Sequence, residues 1–327
     1  PPLEHLVSSD PMARITVPEA EALIDQEFGV LDHGFVRLVD YLGGDARIVQ
    51  AARVSYGDGT KTVREDGALI DYLLRNRHTS PFEQVILTFH VKLPIFVARQ
   101  WIRHRTARLN EISGRYSVMR DEFYVPGPHE VRFQDKRNRQ GGDGRDVPEE
   151  LRERVISVLR SGQERTYAEY EDLLEDDIAR ELARVNLPLS LYTEMYWQID
   201  LNNLFHFLRL RLDWHAQYEI RAYGDVMARI AQAVAPLAYA AFEEHELHGR
   251  SFSRSELDVL RAALDPVRLE EALAASGLRA TRRDELTRKL GPLGARATGG
   301  APARADAGAA NDTTGGAPEP RAGEAAG

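Results

Sequence analysis

The stretch VILTFHVKLPIFVARQWIRHRTARLNEISGRY, Val85–Tyr116, changes its period twice in one run. In its first part Val85, Leu87, Phe89 and Val91 fall on one face, with Thr88, His90 and Lys92 on the other. That period of two marks a half-buried strand. Pro94 follows at a position that a first helical turn tolerates, and IFVARQWIRHR reads on as a helix. On such a helix Arg99 and Arg103 share a face, as do Trp101 and Arg105. Beyond Arg105 the character shifts again, because Asn110, Ser113 and Gly114 favour turns and exposed backbone N–H groups. A strand that runs straight into a helix and then a turn predicts an α+β fold rather than a helical bundle.

The flanking sequence adds elements of both kinds. Helical spacing covers Gly67–Arg77, Glu149–Leu174, Asp176–Val185 and Trp214–Val234, and Leu189–Trp197 leans to strand. Asp200 is placed to cap a helix over LNNLFHFLRLR. Residues 1–30 read as an N-terminal extension with one short amphipathic helix, Pro18–Phe28. The body is expected over residues 31–250, interrupted by a Gly/Asp-rich mobile loop at Arg137–Val147. Residues 251–290 read as an appended helical segment. Residues 291–327 are dominated by Gly, Ala and Pro and are expected to be disordered, having too little apolar surface to offset chain entropy.

The whole chain has 327 residues and no cysteine, which excludes disulfides, iron–sulfur clusters, Cys-type zinc sites and thiol nucleophiles. The net charge of −9 argues against a general nucleic-acid binder. Its cations are lopsided: the only lysines are Lys61, Lys92, Lys136 and Lys289, and the other basic residues are Arg, whose planar fork suits phosphate and carboxylate. No apolar run reaches membrane-spanning length, so no membrane association is expected. The start, PPLEHLVSSD, shows no signal-peptide pattern, and the expected location is the cytoplasm.

Three segments have the composition for chemistry. Arg99–Tyr116 holds five Arg with one His, Glu, Asn and Ser. A turn with Ser113 and Gly114 followed by Arg115 forms a phosphate cradle of backbone donors and one cation, although a solvated, salt-bridged helix end has the same composition. HTSPFE, His78–Glu83, sets a histidine after a helix, where it either complements the helix dipole or serves a site. In Asp200–Glu219, Asn202 and His206 are four apart, as are Arg211 and His215, among Leu and Phe. Cations in such surroundings need partners, either a polar ligand or an acidic neighbour such as Asp213, Glu194 or Glu219. His215 and Glu219 have zinc-helix spacing, but no third ligand stands at a recognised distance, and no metal is expected. Arg184 either complements a helix terminus or reaches a ligand phosphate.

Taken together, RHRTARLNEISGRYS at Arg103–Ser117 resembles the signature of the flavin-dependent thymidylate synthases. HTSPFE at 78–83, FHVKLPIFVARQW at 89–101, ARVNLPLSLYT at 183–193 and LRLDWHAQYEIR at 210–221 are similar to the same family in the same order. The resemblance implies a central, mostly antiparallel sheet flanked by helices, one catalytic domain, and a homotetramer with its sites at subunit interfaces. It implies conversion of dUMP to dTMP with carbon from 5,10-methylenetetrahydrofolate, hydride from FAD, and NADPH as reductant. Position by position, it implies FAD contacts at Arg103, His104, Arg105 and Thr106, with Ser80, Glu111, Asp200, Leu201, Asn202 and His206. Further flavin contacts match Ser55, Glu83, Asn110 and His215. It implies dUMP contacts at Gln100, Trp101, Ile102 and Arg103, and at Glu111, Ile112, Ser113, Gly114 and Arg115, together with Arg184 and Arg211. Arg211 matches a residue that faces the uracil ring, and His78 one near the flavin ring. Asp200 departs from the Asn of several relatives, and a carboxylate repels a diphosphate, so its contact is expected through the backbone.

Ser113 has no His–Asp relay beside it in the sequence, so a binding role is favoured over a nucleophile. Two alternatives keep other chemistry: a flavin- or nucleotide-binding protein without methylation activity, and a metal-dependent nucleotide phosphohydrolase using the scattered His, Asp and Glu.

Overall fold

The computed structural model describes residues 14–54, 63–136 and 141–291. Its elements are α1 (Pro18–Glu21), β1 (Glu27–Val30), β2 (Gly34–Leu42), α2 (Asp45–Arg53), α3 (Val63–Arg75), β3 (Ile86–Pro94), α4 (Ile95–Trp101) and β4 (Arg108–Glu111). They continue with α5 (Glu149–Glu175), α6 (Arg180–Ala183), β5 (Tyr192–Asp200), α7 (Leu201–Arg211), α8 (Tyr218–Val234) and α9 (Pro236–Phe242). Three further helices follow, α10 (Arg254–Ala263), α11 (Pro266–Ala275) and α12 (Ala280–Leu290). The chain divides into two compact units that part between Arg250 and Ser251. The expected tail and the expected contact residue Ser55 lie outside the described residues, as does part of the expected loop at 137–147.

The five strands form one sheet in the order β1-β2-β3-β5-β4. Every strand pair is antiparallel. β3 shows the alternation read from the sequence: Leu87, Phe89, Val91 and Leu93 are fully buried. On β5, Met195, Trp197 and Ile199 share that buried face, and they pack in one core with Ile220, Tyr223, Met227 and Ile230 of α8. Burying side chains of this size at about 2 kcal/mol each drives the helices onto this face. The opposite face carries Thr88 and His90 of β3 beside Gln198 and Tyr196 of β5. The β1–β2 hairpin needs Gly34, because a Cβ there would collide with the Tyr223 hydroxyl, which donates to the Lys92 carbonyl at 2.7 Å.

Several elements differ from the sequence reading. The helix expected over Pro18–Phe28 stops at Glu21, and Glu27–Val30 pairs with Arg37–Gly34 instead. The sheet therefore begins inside the expected extension, because four residues beside a hairpin turn are too few to show a strand period. The helix after Pro94 ends at Trp101, and Pro94 itself is its N-cap and the last residue of β3. The chain must leave that helix early so that Arg108–Glu111 can pair with Gln198–Met195 of β5. The strand read from Val85 starts at Ile86, and Glu83 sits just before it in a short 3-10 turn, Phe82–Gln84. The helix expected from Trp214 starts at Tyr218. Asp200 does cap α7: its carboxylate accepts from the Asn203 backbone N–H at 2.9 Å and side-chain amide at 2.7 Å.

Candidate active site

The short α4 leaves Arg103–Thr106 as an irregular segment between a buried helix and the edge strand β4. Here the chain lines a cavity of about 300 Å³ with Asn203, His206, Leu210 and Arg211 from α7. Arg211 is the organising residue. Its Nε donates to His104 Nε2 at 3.2 Å and its Nη2 to the Gln100 carbonyl at 3.2 Å. A guanidinium has five N–H donors. Two are used here, and the side chain makes no further hydrogen bond among the described residues. Burial pulls the Arg211 pKa below its ordinary value, yet a guanidinium keeps its proton at any working pH.

His104 is pushed down to about 4, first by burial, then by the nearby Arg211 guanidinium and by His206. It is therefore neutral near pH 7, which suits the acceptor role toward Arg211. The His104 ring stands edge-on to Phe207 at 4.8 Å and to His206 at 5.8 Å. Arg103 and Arg105 are exposed at the cavity and form no ion pair among the described residues. Two unneutralised guanidiniums beside a cavity fit a polyanionic group such as the diphosphate of FAD.

At the far end of β4 lies a second structure. The carbonyl of Ser113 accepts from the N–H of Tyr116 at 3.0 Å and of Ser117 at 3.1 Å, closing a turn. Ser113 Oγ accepts from the Arg115 N–H at 3.3 Å, and no base bonds to it among the described residues. The turn rests on α6 and the residue after it. Arg180 Nη1 donates to the Tyr116 carbonyl at 2.8 Å, and Arg115 pairs with Glu181 through Nε at 3.1 Å and Nη2 at 3.0 Å. Arg184 lies so close that a Cβ on Gly114 would stand 3.0 Å from its Cδ and 3.0 Å from Met119 Sδ. A side chain at Gly114 would crowd both, and each would have to give by a few tenths of an ångström.

The other expected residues are placed as follows. His78 follows α3, exposed, with its ring edge-on to Tyr72 at 5.8 Å. Ser80 and Glu83 are exposed in the segment before β3, and the Leu201 N–H donates to the Val85 carbonyl at 2.8 Å, pinning the start of α7 beside them. Asn202 is half-buried in the first turn of α7, and Asn110 pairs across from Tyr196 on β4. Glu111 accepts from the Thr193 hydroxyl at 2.7 Å, and the Ile112 N–H donates to the Glu194 carbonyl at 2.9 Å. Gln100 Nε2 donates to Gln217 Oε1 at 2.5 Å.

Trp101 and Leu201 turn inward and are fully buried, so any ligand contact from either comes from its backbone. Trp101 is held there by Trp197, Phe207 and Tyr223. His215 lies before α8, not within it, and its Nδ1 is 2.7 Å from Asp213 Oδ1. The helical His215–Glu219 spacing is therefore not realised, and Glu219 accepts from the Tyr124 hydroxyl at 3.0 Å. Among the described residues no group of three His, Asp or Glu side chains converges as a metal site. Sequence reasoning missed Arg180 and Glu181. The available signal was the spacing of Arg180 and Arg184, which a single turn of helix directs to one side.

The fold is thus an α+β one, an antiparallel sheet covered by helices, with an Arg-lined cavity and a separate Ser-Gly-Arg turn flanking β4. The family model described as "Thymidylate synthase complementing protein" matches residues 37–237. A flavin-dependent thymidylate synthase from Treponema denticola is 67% identical over 238 residues, covering 73% of this chain and 90% of the relative. Another from Thermus thermophilus is 58% identical over 261 residues, covering 80% and 94%. A solved UMP/dUMP methylase PolB from Streptomyces cacaoi, bound with 5-Br dUMP, is 33% identical with a TM-score of 0.62, covering 68% and 100%. The chain belongs to the family of the flavin-dependent thymidylate synthases.

Proposed function

We propose that this chain methylates dUMP to dTMP, taking carbon from 5,10-methylenetetrahydrofolate and reducing equivalents from NADPH through bound FAD, in the cytoplasm. The observation that carries the reading is Arg211, fixed by neutral His104 and the Gln100 carbonyl, at the mouth of the Arg-lined cavity. FAD supplies the hydride when bound. Arg103 and Arg105 would hold its diphosphate, with Thr106, His206 and the first turn of α7 around it. Arg115, Arg184 and the N–H groups of Ser113 and Gly114 would hold the dUMP phosphate, which binds and orients the ring remotely from the reacting carbon. Arg211 would donate to the uracil and stabilise negative charge as it develops at N3 and O4.

On one chain the turn and the Arg211 cavity stand at opposite ends of β4. Around the turn, Tyr116, Val118, Leu182, Val185 and Leu189 are exposed. Apolar residues of this size at a ligand-binding turn support a homotetramer in which one copy presents its turn to another copy's cavity. The test is direct. The purified protein should be yellow, and should release tritium from dUMP labelled at C5 only with both folate and NADPH present. A colourless protein, or a yellow one that forms no thymidylate, would reject the reading.

A further inference from the structure

Glu181 pairs with Arg115 across the Ser113 turn. A single oxygen, Oε2, accepts from two nitrogens, Nε at 3.1 Å and Nη2 at 3.0 Å, so the carboxylate covers the guanidinium edge that an incoming anion would need. The pair is open to solvent, with side chains 56% and 59% exposed, so it exchanges with dissolved anions rather than serving as a buried strut. The remaining contacts between α6 and the turn are independent of it: Arg180 holds the Tyr116 carbonyl at 2.8 Å and Arg184 lies against Gly114. The turn therefore has other support and does not need Glu181 to keep its shape.

We propose that Glu181 is an internal counter-ion that filters the anions admitted to Arg115. This rests on the reading of Arg115 as the holder of the substrate phosphate. While the site is empty, the carboxylate neutralises the guanidinium. A free anion such as inorganic phosphate gains only the exchange of one anion for another, and so binds weakly. A nucleoside monophosphate carries its phosphate on a ring that makes its own contacts elsewhere, and those contacts supply the free energy that displaces Glu181. Displacing the pair weakens both anions by the same factor, so the filter acts as a threshold: inorganic phosphate, held by Arg115 alone, falls below occupancy, while a nucleoside monophosphate, held also by its ring, still fills the site. Displacement also leaves the carboxylate beside the bound phosphate, where like charge weakens product retention as well as substrate binding.

The test measures binding to the full chain by calorimetry, using dUMP, deoxyuridine and inorganic phosphate as probes. In Glu181→Gln, dUMP and inorganic phosphate should each bind about three- to fivefold more tightly, as expected on removing an exposed competing ion pair, and deoxyuridine should be unaffected. Arg115→Ala should weaken dUMP by about tenfold or more. Adding Glu181→Gln to Arg115→Ala should then relieve only the repulsion between carboxylate and phosphate, and so tighten dUMP by less than the same change does with Arg115 present. If Arg115→Ala leaves dUMP affinity intact, the phosphate assignment fails and the filter with it. If Arg115→Ala weakens dUMP but Glu181→Gln does not tighten it, or tightens deoxyuridine equally, the filter alone is overturned and the phosphate assignment stands.

Discussion

Arg211 shows how one side chain is prepared for a task by its neighbours. Half-buried on the last turn of α7, it spends two donors on His104 and the Gln100 carbonyl, which sets its plane before a ligand arrives. Removing a preorganised donor of this kind costs ~3 kcal/mol in the barrier, about a hundredfold in kcat. Arg211→Ala should therefore fold and bind flavin while losing about two orders of magnitude in thymidylate formation, read by the tritium-release assay. His104 carries a pH consequence. Its folded pKa of about 4 lies below the ordinary histidine value, so between about 4 and 6.5 the unfolded chain binds the proton that the folded one refuses. Stability should fall as pH drops through that window. The urea midpoint should decline from pH 6.5 to 4.5, and His104→Gln should flatten the slope. An unchanged slope in that variant would remove His104 as its source.

At the scale of elements, α7 is specified at its start by Asp200, whose carboxylate satisfies the Asn203 N–H. Asp200→Ala should cost about 1 kcal/mol and lower the thermal midpoint by a few degrees, as loss of an N-cap does. Asp200→Asn, which keeps an acceptor, should recover most of that loss. These two variants separate capping from a direct flavin contact, since flavin affinity should follow helix stability if capping is the main role. The cap was legible because it is local: the chemistry lies within four residues of one helix start. The faces of β3 were legible for the same reason, since alternation from Leu87 to Val91 is a property of the strand itself. The end of α4 was not legible. IFVARQWIRHR has helical spacing throughout, but pairing of Arg108 with Gln198 pulls the chain out of the helix after Trp101. The strand β1 was hidden likewise, its four residues being stabilised by β2 rather than by any pattern of their own.

Over the whole molecule, the sheet order sets which distant segments meet. β5 lies between β3 and β4, so β4 pairs with residues that follow it by 84 to 90 positions, from Glu111 with Met195 to Arg108 with Gln198. The exposed apolar residues beside the Ser113 turn carry the assembly prediction: Val185→Asp should shift the protein to a smaller species in gel filtration with its far-UV circular dichroism preserved. Retention of the larger species would exclude that surface from the assembly.

The absence of cysteine, the strand faces, the helix cap and the ordered motifs were all present in the linear chain, because composition and short-range periodicity do not depend on what packs against what. The family followed from the ordered motifs, and the expected site residues came through the resemblance that those motifs carry. The partners of those residues did not. Arg211 meets His104 across 107 positions, and Arg115 meets Glu181 across 66. Both contacts exist only once the strands have paired and the core has closed. Such pairing is a cooperative, long-range outcome of burial, and spacing along the chain contains no record of it.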